Sequence, residues 1–116
     1  MSNNVEFLTE GHFDFLHDIR QIFPTFIGGV VADRHGFVVA SAKESPNLNE
    51  EILAISSVTN RNLDEYYANM GFKKGSYITV KRDLDNHLTL CLLLQKDPQN
   101  LHRFKEFNKI LERKMM

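Results

Sequence analysis

One cysteine, Cys91, is all this chain possesses, which excludes an internal disulfide framework and fits a reducing compartment. An excess of charge of either sign is also missing. Fourteen Lys and Arg stand against 15 Asp and Glu, a formal net charge of -1. Duplex nucleic acid and acidic membrane surfaces recruit proteins through surplus positive charge, so neither is an expected partner. Long apolar runs are lacking too. The longest, Leu90 to Leu94, is far too short to cross a bilayer, so no membrane insertion is expected. The Met-Ser-Asn-Asn-Val-Glu start has neither a basic region nor an apolar core, and the expectation is a cytoplasmic protein without a signal peptide. Repeats, linkers and low-complexity tracts are absent, leaving one domain over residues 1–116.

Signals for chemistry are equally thin. The five histidines, His12, His17, His35, His87 and His102, are dispersed, with no H-x-x-x-H pair and no cysteine at metal spacing. Asp83-Leu84-Asp85-Asn86 lacks the glycine and the distant glutamate of a calcium loop. Gly28-Gly29 leads into a strand, and Gly71-Phe72-Lys73-Lys74-Gly75-Ser76 runs from helix to strand. Neither has the strand-to-helix order of a phosphate loop. Close packing of a neighbouring helix explains the glycine pair better. No serine stands in a nucleophile elbow, and Cys91 reads as an inert core thiol. No cofactor, metal or catalytic residue is expected, and the chain reads as a non-enzyme.

What the chain does have is a hairpin and good helical periodicity. Two β-branched runs, entered through Phe26-Ile27-Gly28-Gly29 and leaving as Phe37–Ala42, flank Asp33-Arg34-His35-Gly36. Asp opens a type I turn, and Gly takes the positive φ where the second strand begins. Before the hairpin, Leu8, His12, Phe15, Leu16, Ile19, Ile22 and Phe23 form the stripe of a helix from about Thr9 to Ile22, ended by Pro24. After it, Asn47 with Glu50 three residues on has the spacing of an N-cap. The periodicity predicts a long central helix from about Leu48 to Met70, closed by Gly71. Its main stripe is Leu48, Ile52, Ile55, Leu63, Tyr66 and Met70. A second line, Leu53, Ser56, Asn60, Leu63 and Tyr67, lies about a quarter-turn away and asks for another partner.

Strands are predicted at Ser76–Arg82, with Ile78 and Val80 opposite Tyr77 and Thr79, and at His87–Gln95. The latter is apolar on both faces, through Leu88, Leu90, Leu92 and Leu94 on one side and Cys91 and Leu93 on the other. It therefore belongs in mid-sheet. Asp97-Pro98 opens a last helix with Leu101, Phe104, Phe107, Leu111 and Met115 inward and a basic, solvated remainder. The order helix-β-β-helix-β-β-helix predicts an α+β fold. It is a three-layer α/β/α sandwich in which the central helix covers one face of an antiparallel sheet and the terminal helices cover the other.

That order, with Ile27-Gly28-Gly29-Val30-Val31, Asp33-x-x-Gly36, the strand Phe37–Ala42 and the helix opening Asn49-Glu50-Glu51-Ile52, resembles the roadblock family of the roadblock/longin superfamily over about Ile19 to Leu94. The family fold has five strands, and four are counted here. The resemblance implies a non-enzymatic scaffold or adaptor, a homodimer or a dimer with a related roadblock chain, that regulates a small Ras-like GTPase. It implies central helices side by side and the following edge strand paired across the two-fold. On this sequence that interface is Leu53, Ser56, Asn60, Leu63 and Tyr67 with Tyr77 and Thr79. The outer side of the helices, with Ser57, Arg61 and Asp64, is the expected partner surface, ahead of Arg103, Lys105 and Lys109 on the last helix. The alternatives are a passive cargo or motor adaptor and a profilin-like sensor holding a small ligand against its sheet. The sensor needs convergent polar groups on the sheet, where the strand Leu88–Leu94 offers only Thr89 beside Cys91.

Overall fold

The computed structural model describes residues 11, 14–84 and 87–115. Helix α1 covers residues 14–22 and buries Phe15, Leu16, Ile19 and Ile22. Of the rest of the predicted first helix, Gly11 is helical, and Leu8 and His12 lie outside the described residues. Past Pro24 come β1 (Phe26–Ala32) and β2 (Val38–Lys43). The Asp33 carboxylate accepts the His35 and Phe37 backbone amides at 2.9 and 3.0 Å, and Gly36 sits at φ 84°, as the turn chemistry requires. Gly28 is closely packed: a Cβ there would lie 2.1 Å from a Leu48 methyl carbon.

Strands β3 (Tyr77–Asp83) and β4 (Thr89–Gln95) complete an antiparallel sheet of order β2-β1-β4-β3. The two-faced β4 is central, as predicted. Its Leu90, Leu92 and Leu94 join the core beneath α1 and α4 (Asn100–Met115), where Phe23 meets Phe104 and Phe107 edge-on at 5.4 and 5.6 Å. Its Cys91 and Leu93 join a second core on the opposite face. Three layers result, and the predicted α+β sandwich stands.

The central helix is corrected in three respects. It is broken: α2 spans Glu50–Ser56 and α3 spans Asp64–Asn69, with an irregular loop between them. Side chains of this stretch bond its backbone locally and so offer an alternative to the helical ladder. Ser56 Oγ and Ser57 Oγ each donate to a carbonyl three residues back at 2.6 Å. Thr59 Oγ1 accepts the Arg61 amide, and Asn62 Oδ1 accepts the Asp64 amide. The N-cap is Asn49, whose side chain accepts from Glu51 and Ile52, because Asn47 belongs to a turn closed by the Leu48 amide on Ser45.

The stripes are also mixed. Leu53, Ser56, Leu63 and Tyr67 of the second line are buried, while of the expected inner stripe Leu48 and Leu63 are buried, Ile52 and Met70 pack against the core, and Ile55 and Tyr66 are 44% and 46% exposed. The end of α3 is as expected: Gly71 at φ 93° lets its own amide and that of Phe72 reach the Ala68 and Tyr67 carbonyls at 2.9 Å.

On α4, Leu101 points to solvent. Asn100 takes the inward position instead, buried and bonded to Thr25 and the Gln95 carbonyl, and the stripe continues through Phe104, Phe107 and Leu111. Asp97 caps the turn before the helix through the Gln99 amide. Met115's side chain lies outside the described residues.

Candidate functional site

The break in the central helix uncovers the edge strand β3. A cavity of about 300 Å³ opens there, between the 59–63 loop, the start of α3 and the β3 residues Tyr77, Thr79 and Lys81. It collects most of the residues singled out from the sequence. Ser56, Asn60, Leu63, Tyr67, Tyr77 and Thr79 of the expected interface line it, and so do Arg61 and Asp64 of the expected partner surface. Leu53 does not reach it, being fully buried in the core. Ser57 stands apart, half-buried, with its hydroxyl on the Ala54 carbonyl.

Beneath the cavity lies a buried polar chain. Ser56 has one hydroxyl hydrogen, placed on the Leu53 carbonyl, so its Oγ is left to accept from the Tyr67 hydroxyl at 3.3 Å and the Cys91 thiol at 3.4 Å. Burial pushes both the Tyr67 phenol and the Cys91 thiol above their ordinary ranges, so both stay protonated. At the rim, Tyr77 donates to Asp64 Oδ1 at 2.7 Å and packs its ring on Tyr67 at 5.1 Å between centroids. Desolvation, reinforced by the Asp64 carboxylate, raises the Tyr77 phenol strongly. Lys74 lies 3.8 Å from the other Asp64 oxygen, and Lys81 Nζ donates to the Thr59 carbonyl at 3.1 Å.

These contacts revise the expected roles. Leu53, Ser56, Leu63 and Tyr67 are buried within the chain, so their area is already used. The outward apolar side chains in this layer are Ile55, Val58 and Tyr66, each between 44% and 46% exposed. Of the three partner residues, only Arg61 is exposed with its side chain unpaired among the described residues, since Ser57 and Asp64 are engaged. The cavity itself was missed. Its one sequence signal is the Ser56-Ser57-Val58-Thr59-Asn60-Arg61-Asn62 run, which is poor helix material.

Elsewhere, no group of three or more His, Cys, Asp or Glu among the described residues could hold a metal ion. Among the described residues, no helix is long and apolar enough to cross a membrane.

No family model matches the chain, and no curated protein matches its sequence. Among solved structures it is similar to Myxococcus xanthus MglB, with 12% identity, 87% of each chain covered and a TM-score of 0.52. At that identity the likeness is one of fold, and the chain has the roadblock/longin-like fold of that protein.

Proposed function

We propose that this chain is a non-enzymatic dimeric scaffold that binds and modulates a small Ras-like GTPase. The observation that carries the reading is the roadblock/longin-like fold, matched over 87% of both chains, together with the roadblock-like glycine and turn pattern of the first hairpin.

The open edge of β3 supports pairing. Lys96 donates to the Ser76 carbonyl at 3.0 Å and Leu84 to the Leu88 carbonyl at 2.8 Å. In an antiparallel ladder this phase turns Ser76, Ile78, Val80, Arg82 and Leu84 toward β4. Tyr77, Thr79, Lys81 and Asp83 then direct their backbone groups outward, ready for a second strand. Ile55, Val58 and Tyr66 extend the surface. Each is about half exposed, so covering it is worth roughly 1 kcal/mol. Six such side chains per dimer then contribute about 6 kcal/mol against an association cost of 4–15 kcal/mol. Helix contact therefore needs the strand ladder beside it. Arg61 marks the GTPase contact, and the dimer acts by positioning the GTPase's own machinery.

Light scattering on wild type, Ile55→Asp and Tyr66→Asp tests the dimer. Wild type is expected dimeric at tens of micromolar and the variants monomeric. A pull-down from the native lysate, with proteins identified by mass spectrometry, tests the partner. A Ras-like GTPase recovered by wild type and lost with Arg61→Glu is the expected result. No GTPase under either nucleotide state sinks the proposal.

A further inference from the structure

An edge strand that pairs antiparallel with its own copy has few registers open to it. Outward-bonding residues meet only outward-bonding ones, so the two-fold axis passes through one residue of β3, not between two. Near either end of Tyr77–Asp83, little of the strand overlaps. An axis at Lys81 sets that lysine against its own copy, and like charges directly opposite are destabilising. An axis at Val80 pairs the whole strand. It also sets Asp83 of the partner subunit opposite Tyr77, whose hydroxyl already holds the Asp64 carboxylate at 2.7 Å, so two carboxylates crowd one phenol. An axis at Thr79 sets the partner's Lys81 there instead.

From this complementarity we infer that the two-fold passes through Thr79, and that the partner's Lys81 completes each cavity over β3 by pairing with Asp64. The inference rests on the dimeric reading above and adds its register. On the cavity face the stem of the partner's Lys81 runs along the Tyr77 ring, and its ammonium reaches the carboxylate beyond. Asp64 is the one carboxylate among the lining residues, and it has room. Its Oδ1 accepts from Tyr77, while Oδ2 has Lys74 at 3.8 Å, on a side chain 78% exposed. Within one chain Lys81 Nζ sits on the Thr59 carbonyl at 3.1 Å, a neutral acceptor that it exchanges for a charged one. On the opposite face Ile78 meets the partner's Val80, apolar on apolar, continuous with the core beneath α1 and α4. The exposed helix side chains did not by themselves cover the cost of association, and these contacts, made twice per dimer, add to them.

The axis is read by mild oxidation of full chains carrying Thr79→Cys, Val80→Cys or Lys81→Cys, since each thiol meets its copy in one register only. Cys91 is fully buried and does not compete. Cross-linking at position 79 alone is expected. The ion pair is read by sedimentation equilibrium. Lys81→Glu and Asp64→Lys are each expected to weaken dimerisation about tenfold, because each homodimer then sets like charges together. Mixing the two variants is expected to recover a dimer as tight as wild type, since in the mixed dimer both contacts join opposite charges. A contact within one chain would not produce that recovery. A wild type that dimerises yet cross-links best at position 80 or 81, or variants that stay weak when mixed, would overturn the inference and leave the dimer standing. A wild type that is monomeric at tens of micromolar would overturn both.

Discussion

Asn100 offers a sharp test of how α4 is held to the sheet. It is 3% exposed, and its amide makes two bonds. Oδ1 accepts from Thr25 Oγ1 at 2.6 Å, and Nδ2 donates to the Gln95 carbonyl at 2.9 Å. Asn100→Ala removes both and strands a donor and an acceptor. Each stranded buried group costs about 1–3 kcal/mol. Gln95 lies at an exposed position where water can reach its carbonyl, and the Thr25 hydroxyl can rotate, so the lower half of each range applies. The expected destabilisation is about 2–4 kcal/mol. With about 2.1 cal/mol/K of unfolding entropy per residue, the melting temperature falls by about 8–16 °C.

Thermal unfolding followed by circular dichroism, with calorimetry to check two-state behaviour, reads this directly. The diagnostic control is Thr25→Val in both backgrounds. It should cost clearly less once Asn100 is gone, a coupling of about 1 kcal/mol. An Asn100→Ala protein melting within about 2 °C of wild type would refute the reasoning. So would a Thr25→Val cost that is the same in both backgrounds, since the pair would then be in contact without being coupled.

Two further outcomes follow from ionisation. The Phe37 amide, then the His35 amide, hold the Asp33 carboxyl below its ordinary value of 3.8, so its contribution to stability is full above about pH 4 and lost as pH falls through the lowered native value. Its NMR titration midpoint should lie below 3.8, and Asp33→Asn should flatten the acid limb of the stability curve. Cys91, fully buried with its thiol pushed up by desolvation, should resist a thiol-reactive dye at pH 8 in the native protein and react at once after denaturation; rapid native labelling would mean that the α2 layer opens.

The candidate site was half legible in the sequence. Alternation put Tyr77 and Thr79 on one face of their strand, opposite Ile78 and Val80, and that face is the one the cavity lines. Ser56, Asn60, Leu63 and Tyr67 were grouped correctly, because a shared helical face brings the same residues near one another even when the helix is interrupted. A second apolar line beside the first suggested a partner chain; Leu53, Ser56, Leu63 and Tyr67 of that line are buried within the chain, as is Leu48 of the first, and Ile55 and Tyr66 of the first are half exposed. Two stripes a quarter-turn apart are nearly equal in hydrophobicity, so periodicity cannot say which one a sheet will take.

Several features of this chain were decided by neighbours within a few residues. The Asp33–Gly36 turn follows from a carboxylate accepting amides two and four residues on. The Gly71 stop follows from a backbone that only glycine adopts cheaply. The central place of β4 follows from alternation that leaves no polar face. These needed no tertiary information, because local sterics and two-sided burial have few solutions. The break in the central helix was different. Its Ser, Thr and Asn side chains can serve either a helix or a loop at similar cost. Contacts from outside the segment, Lys81 on the Thr59 carbonyl and Tyr77 on Asp64, pin the loop to β3. The same bonds, spanning 22 and 13 positions, shape the cavity over β3, so it arose only when the loop and the strand met. No window of sequence contains that encounter, and only the packed sheet and helices created it.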